Sequence, residues 1–127
     1  MRRSTLIVVA TVGLVALLAV PALAQTQTTH IESEIKIRNN FPAFHGRIVS
    51  NNDACEQGRS VKLFKEKRNG SKKLLGTTTS DLEGKWEVLV DPLKSGAYFA
   101  VAQKREEGTA GTIFVCDRAK SRIVAVD

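Results

Sequence analysis

The chain has 127 residues, 43% of them hydrophobic, with 19 Lys and Arg against 13 Asp and Glu, a net charge of +6, and two cysteines. That length suits one folded domain and leaves no room for a second. No apolar run of about 20 residues follows Ala24, which excludes a later membrane-spanning helix.

Arg2 and Arg3 precede an uncharged stretch from Ser4 to Val20, and Pro21-Ala22-Leu23-Ala24 closes it. A charged start, an apolar core and small residues at a cleavage point read as a secretory signal peptide over 1–24. An uncleaved anchor is the alternative, but Pro21 would interrupt its helix. General secretion is the simpler reading of the Arg2-Arg3 pair than twin-arginine export. The polar run that follows, 25–30, is expected to be a flexible N-terminus. Residues 31–127 then form the single domain. The expected location is secreted or extracytoplasmic, with the cell envelope or periplasm included.

Cys55 and Cys116 would meet an oxidising compartment, where two cysteines are first read as a pair. In the chain-entropy model a loop of this length is worth roughly 4 kcal/mol as an upper guide. Neither cysteine has a Cys-x-x-Cys spacing or a nearby histidine, so a bridge is favoured over a metal-binding or reactive thiol.

From residue 31 the hydrophobic period is two. Ile31, Ser33, Ile35 and Ile37 alternate with Glu32, Glu34, Lys36 and Arg38, which predicts a half-buried strand. Asn39-Asn40 and Pro42 end it. Phe44–Ser50 is the second strand, and Val61–Phe64 the third. Arg68-Asn69-Gly70-Ser71 predicts a tight hairpin with positive φ at the Asn-Gly pair, and Leu74–Thr79 returns. The turn Ser80-Asp81-Leu82-Glu83-Gly84 feeds a strand that sets Trp86, Val88 and Val90 against Lys85, Glu87 and Asp91. Gly96 opens the apolar strand 97–102, and 104–111 reads as a charged loop. Thr112–Cys116 and Arg122–Val126 are the last two strands. About eight short strands and no amphipathic helix predict an all-β protein, an Ig-like two-sheet sandwich at this length.

Gly46-Arg47-Ile48, Val61-Lys62-Leu63, Thr79 to Trp86 and Gly96-Ala97-Tyr98, taken in order, resemble a carboxypeptidase regulatory-like domain of the transthyretin-like (prealbumin-like) β-sandwich group. The resemblance covers about residues 44–103, with Ser80 where the family favours threonine. It implies a non-catalytic module of secreted or surface proteins, in which Asp81 and Gly84 shape a turn and Trp86 fills the core. Hydroxyisourate hydrolases share the broad fold, but their C-terminal Tyr-Arg-Gly-Ser is replaced here by Arg122-Ile123-Val124-Ala125-Val126-Asp127, so that activity is not carried over.

Catalysis or metal binding would need a nucleophile beside a base, or clustered ligands. His30 and His45 have no local zinc spacing, Glu32 and Glu34 sit among Lys36 and Arg38, and Asp81 with Glu83 falls short of a calcium loop. No catalytic residue, metal or cofactor is expected. Asn69-Gly70-Ser71 spells an N-glycosylation acceptor, but its turn role comes first. One feature leans toward a partner. Lys62, Lys65, Lys67, Arg68, Lys72 and Lys73 crowd one hairpin against a single acid, Glu66. They form a candidate site for an anionic polymer such as teichoic acid, lipopolysaccharide phosphate or an acidic glycan. The bland reading is that lysines guard an exposed edge against aggregation. With Phe64 as the lone aromatic there, nucleic acid is disfavoured. The expected function is therefore a small exported, non-catalytic binding or structural module whose partner is an extracellular protein or an anionic envelope polymer. A transthyretin-like hydrolase and an anion binder using hairpin 62–73 are the alternatives. A pocket holding His45 with a partnered acid or arginine would favour the hydrolase.

Overall fold

The computed structural model describes residues 26–40, 42–109 and 111–127. The expected signal segment 1–24 lies outside the described residues. The rest is all-β: β1 (Gln27–Ile31), β2 (Ser33–Asn40), β3 (Ala43–Ser50), β4 (Ser60–Glu66), β5 (Lys72–Thr79), β6 (Lys85–Leu89), β7 (Gly96–Ala102), β8 (Arg105–Thr109), β9 (Thr112–Cys116), β10 (Ala119–Lys120) and β11 (Val124–Val126), with one 3-10 turn at Asp53–Cys55. Among the described residues no helix is long and apolar enough to cross a membrane.

Period-two patterning builds a β-sandwich. One layer is the antiparallel sheet β2-β3-β6, and the other is ordered β10-β7-β4-β5 with β11 also on β7. Alternation turns Ile35, Ile37, Phe44, Ile48, Trp86 and Val88 of the first layer toward Val61, Leu63, Tyr98 and Ala100 of the second. Side chains of this size contribute about 1.5–3 kcal/mol each when fully buried. Phe44 and Tyr98 stack across the layers with centroids 4.7 Å apart. The Tyr98 hydroxyl donates to the Lys94 carbonyl, so this buried phenol keeps a partner. The layers also meet at their edges, β5 against β6 and β2 against β10 and β11.

A third sheet, ordered β1-β9-β8, was not legible in the sequence. β1 runs parallel to β9, from Gln27 opposite Thr112 to Ile31 opposite Cys116. Within the expected flexible lead-in 25–30, residues 27–30 are thus strand, held by backbone pairing that their exposed polar side chains do not advertise. Ile31 and Ile35 belong to two strands, not one. The charged stretch 104–111 contains β8, an edge strand whose Arg105, Glu106 and Glu107 suit an edge that must not recruit another chain. These additions and β10 raise the count from about eight strands to eleven among the described residues.

Two features fasten the third sheet to the sandwich. The Cys55–Cys116 disulfide, with Cα atoms 5.4 Å apart, joins the turn before β4 to the end of β9. Beside it the Arg59 side chain is fully buried. Its Nε donates to the Gln103 carbonyl at 3.1 Å, one terminal nitrogen to Ser33 Oγ and the Cys55 carbonyl, both at 2.8 Å, and the other to the carbonyls of Gln103 at 2.9 Å and Asp117 at 2.8 Å. All five guanidinium protons therefore have acceptors. Burial lowers the Arg59 pKa, neighbouring Arg105 lowers it further, and Asp117 partly offsets both. Arg105 clasps the same loop through the carbonyls of Gln57, Gly58 and Ala54.

Arg59→Met keeps much of the buried volume but orphans the carbonyls of Cys55, Gln103 and Asp117. At about 1–3 kcal/mol for each buried group left unpaired, chemical denaturation should show a loss of about 3 kcal/mol or more, and an unchanged midpoint would contradict the hub. Gly46 gives a second test. A Cβ there would sit 1.8 Å from the Lys36 carbonyl oxygen and 2.9 Å from Trp86 Cζ2. Gly46→Ala should lower stability by about 1–3 kcal/mol, read as a drop in Tm.

Candidate functional site

An open groove of about 940 Å³ lies over the outward face of β2-β3-β6, extended by Thr78, Thr79 and Asp81. Strand alternation explains its lining. Residues between the buried Ile35, Ile37, Ile48, Trp86 and Val88 must point outward, and register sets them in rows. Lys36 lies opposite Arg47, which lies opposite Lys85; the next row is Arg38, His45 and Glu87. Neighbouring strands are about 4.8 Å apart, so the first row places three cations side by side. Like charges directly opposite each other destabilise a sheet.

The row is offset only at its Lys85 end, by Glu83 and more weakly by Asp81, with Glu87 in the next row. Lys85 Nζ pairs with Glu83 at 2.8 Å, and this hydrogen bond and charge raise its pKa. Arg47 Nε donates to the Glu83 carbonyl at 3.0 Å. Among the described residues Lys36, Arg38 and Arg47 take part in no ion pair. The turn below the row is rigid. Asp81 Oδ1 accepts from the amides of Glu83 and Lys85, both at 2.9 Å. Gly84 adopts φ +81, where a Cβ would come within 2.5 Å of the Ile48 carbonyl oxygen. Ser80, buried beneath this turn, accepts from the Arg59 amide and donates to the Glu56 carbonyl.

The basic hairpin of the sequence reading is β4–β5, but alternation divides its cations. Lys62 and Lys72 share the outward face with Phe64, while Lys65 and Lys73 lie opposite each other on the inward parity beyond the core. Lys65 reaches Tyr98, its Nζ 5.8 Å from the ring centroid. Lys67 and Arg68 occupy the turn. Only Gly70 there has positive φ, at +82, and Lys67 receives the Gly70 amide hydrogen bond. The connection is therefore a three-residue loop with Gly70 as its left-handed residue, not a two-residue turn with Asn69 also left-handed. Asn69 Oδ1 instead accepts from the Ser71 amide at 3.0 Å.

The histidines are kept apart. His30, on β1, pairs with Asp117 at 2.9 Å, whereas His45 lines the groove. Among the described residues no three His, Cys, Asp or Glu cluster as a metal site. Sequence reasoning missed Lys36, Arg47 and Lys85 as one group; the signal was the outward parity of three strands, readable only once their pairing is known. No protein-family model matches the chain, and no curated protein matches it.

If the cation row is held at a cost, removing one member should help the fold. Lys36→Gln should raise stability by about 0.2–1 kcal/mol at low ionic strength, with the gain shrinking in high salt. Paired denaturation curves at two salt concentrations check this.

Proposed function

We propose that the chain is a small exported, non-catalytic β-sandwich module that binds an anionic polymer at the cell envelope or outside the cell. The observation that carries this reading is the Lys36–Arg47–Lys85 row, three exposed cations in one groove of which only Lys85 is in an ion pair, with Asp81 and Glu87 as further carboxylates in the lining. A fold that holds such a row at a cost gains from a negative partner, and a polyanion laid across the strands supplies one charge after another. The disulfide and the signal-like segment 1–24 support export. The short carboxypeptidase regulatory-like motifs support a non-catalytic module, with Asp81, Gly84 and Trp86 in structural roles.

Retention of the oxidised protein on immobilised polygalacturonate across a salt series tests the reading. Binding should weaken steeply with salt, because each phosphate-like or carboxylate contact releases counterions. Replacing Lys36, Arg47 and Lys85 by Gln should flatten the log–log salt slope by about 2–3, at roughly 0.7–0.9 per lost contact. Retention that ignores salt would point to a protein partner instead.

The groove also favours a second reading, a small hydrolase of the transthyretin-like group. It places His45 directly opposite Glu87 and beside Arg38, a base, an acid and a cation that could hold an anionic ester. Turnover of a carboxylated aryl ester that disappears in His45→Ala would establish it. Equal turnover in the variant would end it.

A further inference from the structure

The other outward face of the sandwich carries a second cationic site, built differently. On β4, β7 and β10, Lys62 and Lys120 both lie opposite Val101, one on either side. One row along, Phe64 stacks on Phe99 with centroids 5.4 Å apart. Lys120 Nζ sits 4.4 Å and Lys72 Nζ 5.2 Å from the centre of the Phe99 ring. The two ammonium groups are therefore no more than 9.6 Å apart, the sum of those distances. They come from strands 48 positions apart in sequence. Among the described residues Lys62, Lys72 and Lys120 form no ion pair. Their stems help close over Phe99, which is fully buried although it faces away from the core. Cation–ring contact accounts for the position of the stems. Glu66 lies opposite Lys72, but among the described residues it forms no ion pair with these lysines. Leu74, 49% exposed, continues the Leu74–Phe64–Phe99 row as an apolar strip beside them.

The two cationic faces belong to opposite layers. Sheets in a sandwich pack about 10 Å apart, and the side chains extend outward from both. Screening acts over about 8 Å at physiological ionic strength. Each face thus meets an anion as an independent site. We infer that this protein is bivalent and cross-links two chains of an acidic polysaccharide, one on the groove of β2-β3-β6 and one on the Lys62–Lys72–Lys120 face. Both faces fit the same polymer chemistry. The groove adds hydroxyl and amide groups from Thr78, Thr79 and Asn40 to its cations, and these hydrogen-bond sugar hydroxyls. The second face adds Phe64 and Leu74, an apolar strip for the C–H surface of a pyranose ring. The inference rests on the proposed polyanion reading for the groove and extends it to a second site.

A two-polymer capture assay tests it. Full-length mature protein is loaded on bead-bound polygalacturonate, washed, and offered fluorescent soluble polygalacturonate, with neutral dextran as control. Wild type should capture the labelled polymer. The triple variants Lys36→Gln/Arg47→Gln/Lys85→Gln and Lys62→Met/Lys72→Met/Lys120→Met should each stay on the beads at low salt yet lose capture about tenfold or more, since bridging needs both sites at once. Methionine keeps a stem over Phe99, and thermal melts of both variants establish that they are folded. Wild type that stays bound but captures nothing, or either folded variant that captures fully, would overturn bivalency and leave the groove reading standing. Wild type that fails to bind the beads would remove both. Equal capture of labelled polyphosphate, with polygalacturonate no better, would overturn the polysaccharide assignment.

Discussion

The third sheet meets the two main layers around one buried guanidinium, beside the disulfide. Arg59 has no carboxylate in hydrogen-bond contact; its five protons are spent on Ser33 and on carbonyls of Cys55, Gln103 and Asp117. Those acceptors come from the start of β2, the turn before β4, the end of β7 and the end of β9. A planar fork that can serve four chain segments at once is something lysine does not offer. Desolvating the charge is costly, and carbonyl dipoles alone repay it less fully than an anion would. The arrangement persists because the same carbonyls would otherwise be buried without donors. The disulfide lies at the same junction, so covalent and hydrogen-bonded ties reinforce each other where the third sheet meets the sandwich.

That junction explains how a small domain keeps its outward faces rigid. The Ser80 hydroxyl links the Arg59 amide to the Glu56 carbonyl. From Ser80 the chain runs straight into the Asp81–Gly84 turn that positions Lys85. The groove row and the buried hub are thus about one turn of chain apart. A cation row on a mobile sheet would relax by splaying its side chains and strands. On a sheet whose turn is pinned from below, the repulsion stays and remains available to a ligand.

Much of the sandwich was legible because its signal is local. Ile35 and Ile37, Val61 and Leu63, and Trp86 and Val88 alternate with charge, and strand parity follows directly. The Asp81–Gly84 turn and the cysteine pair were legible for the same reason, each being a short motif with its own chemistry. The third sheet was not. β1 is Gln-Thr-Thr-His-Ile, whose contribution is backbone pairing, and polar side chains look the same on a strand as on a tail. β8 was hidden by the charges that protect its edge. Arg59 gave no signal at all, since a lone arginine in a sequence reads as surface and its acceptors lie up to 58 residues away. The basic hairpin was legible as composition but not as geometry. Six cations in twelve positions look like one patch, and alternation sends them to two parities and a turn.

The faces themselves follow from a constraint that applies to any thin sandwich. A layer has two sides, and once one is apolar the other must carry the polar residues of every strand. With more cations than acids in the chain, the excess must go outward. It could have been scattered among acids, as Glu106 is set against Lys104 and Glu107 against Arg105. On the two outer faces it is instead gathered, across three strands on one side and around Phe99 on the other. Gathering like charges is unfavourable for the isolated fold and favourable only with an anion present. Surface charge that merely kept the protein soluble would gain nothing from such grouping. The opposition between what the isolated fold prefers and where the cations stand is the physical reason to place function on these faces rather than in the buried junction that holds them.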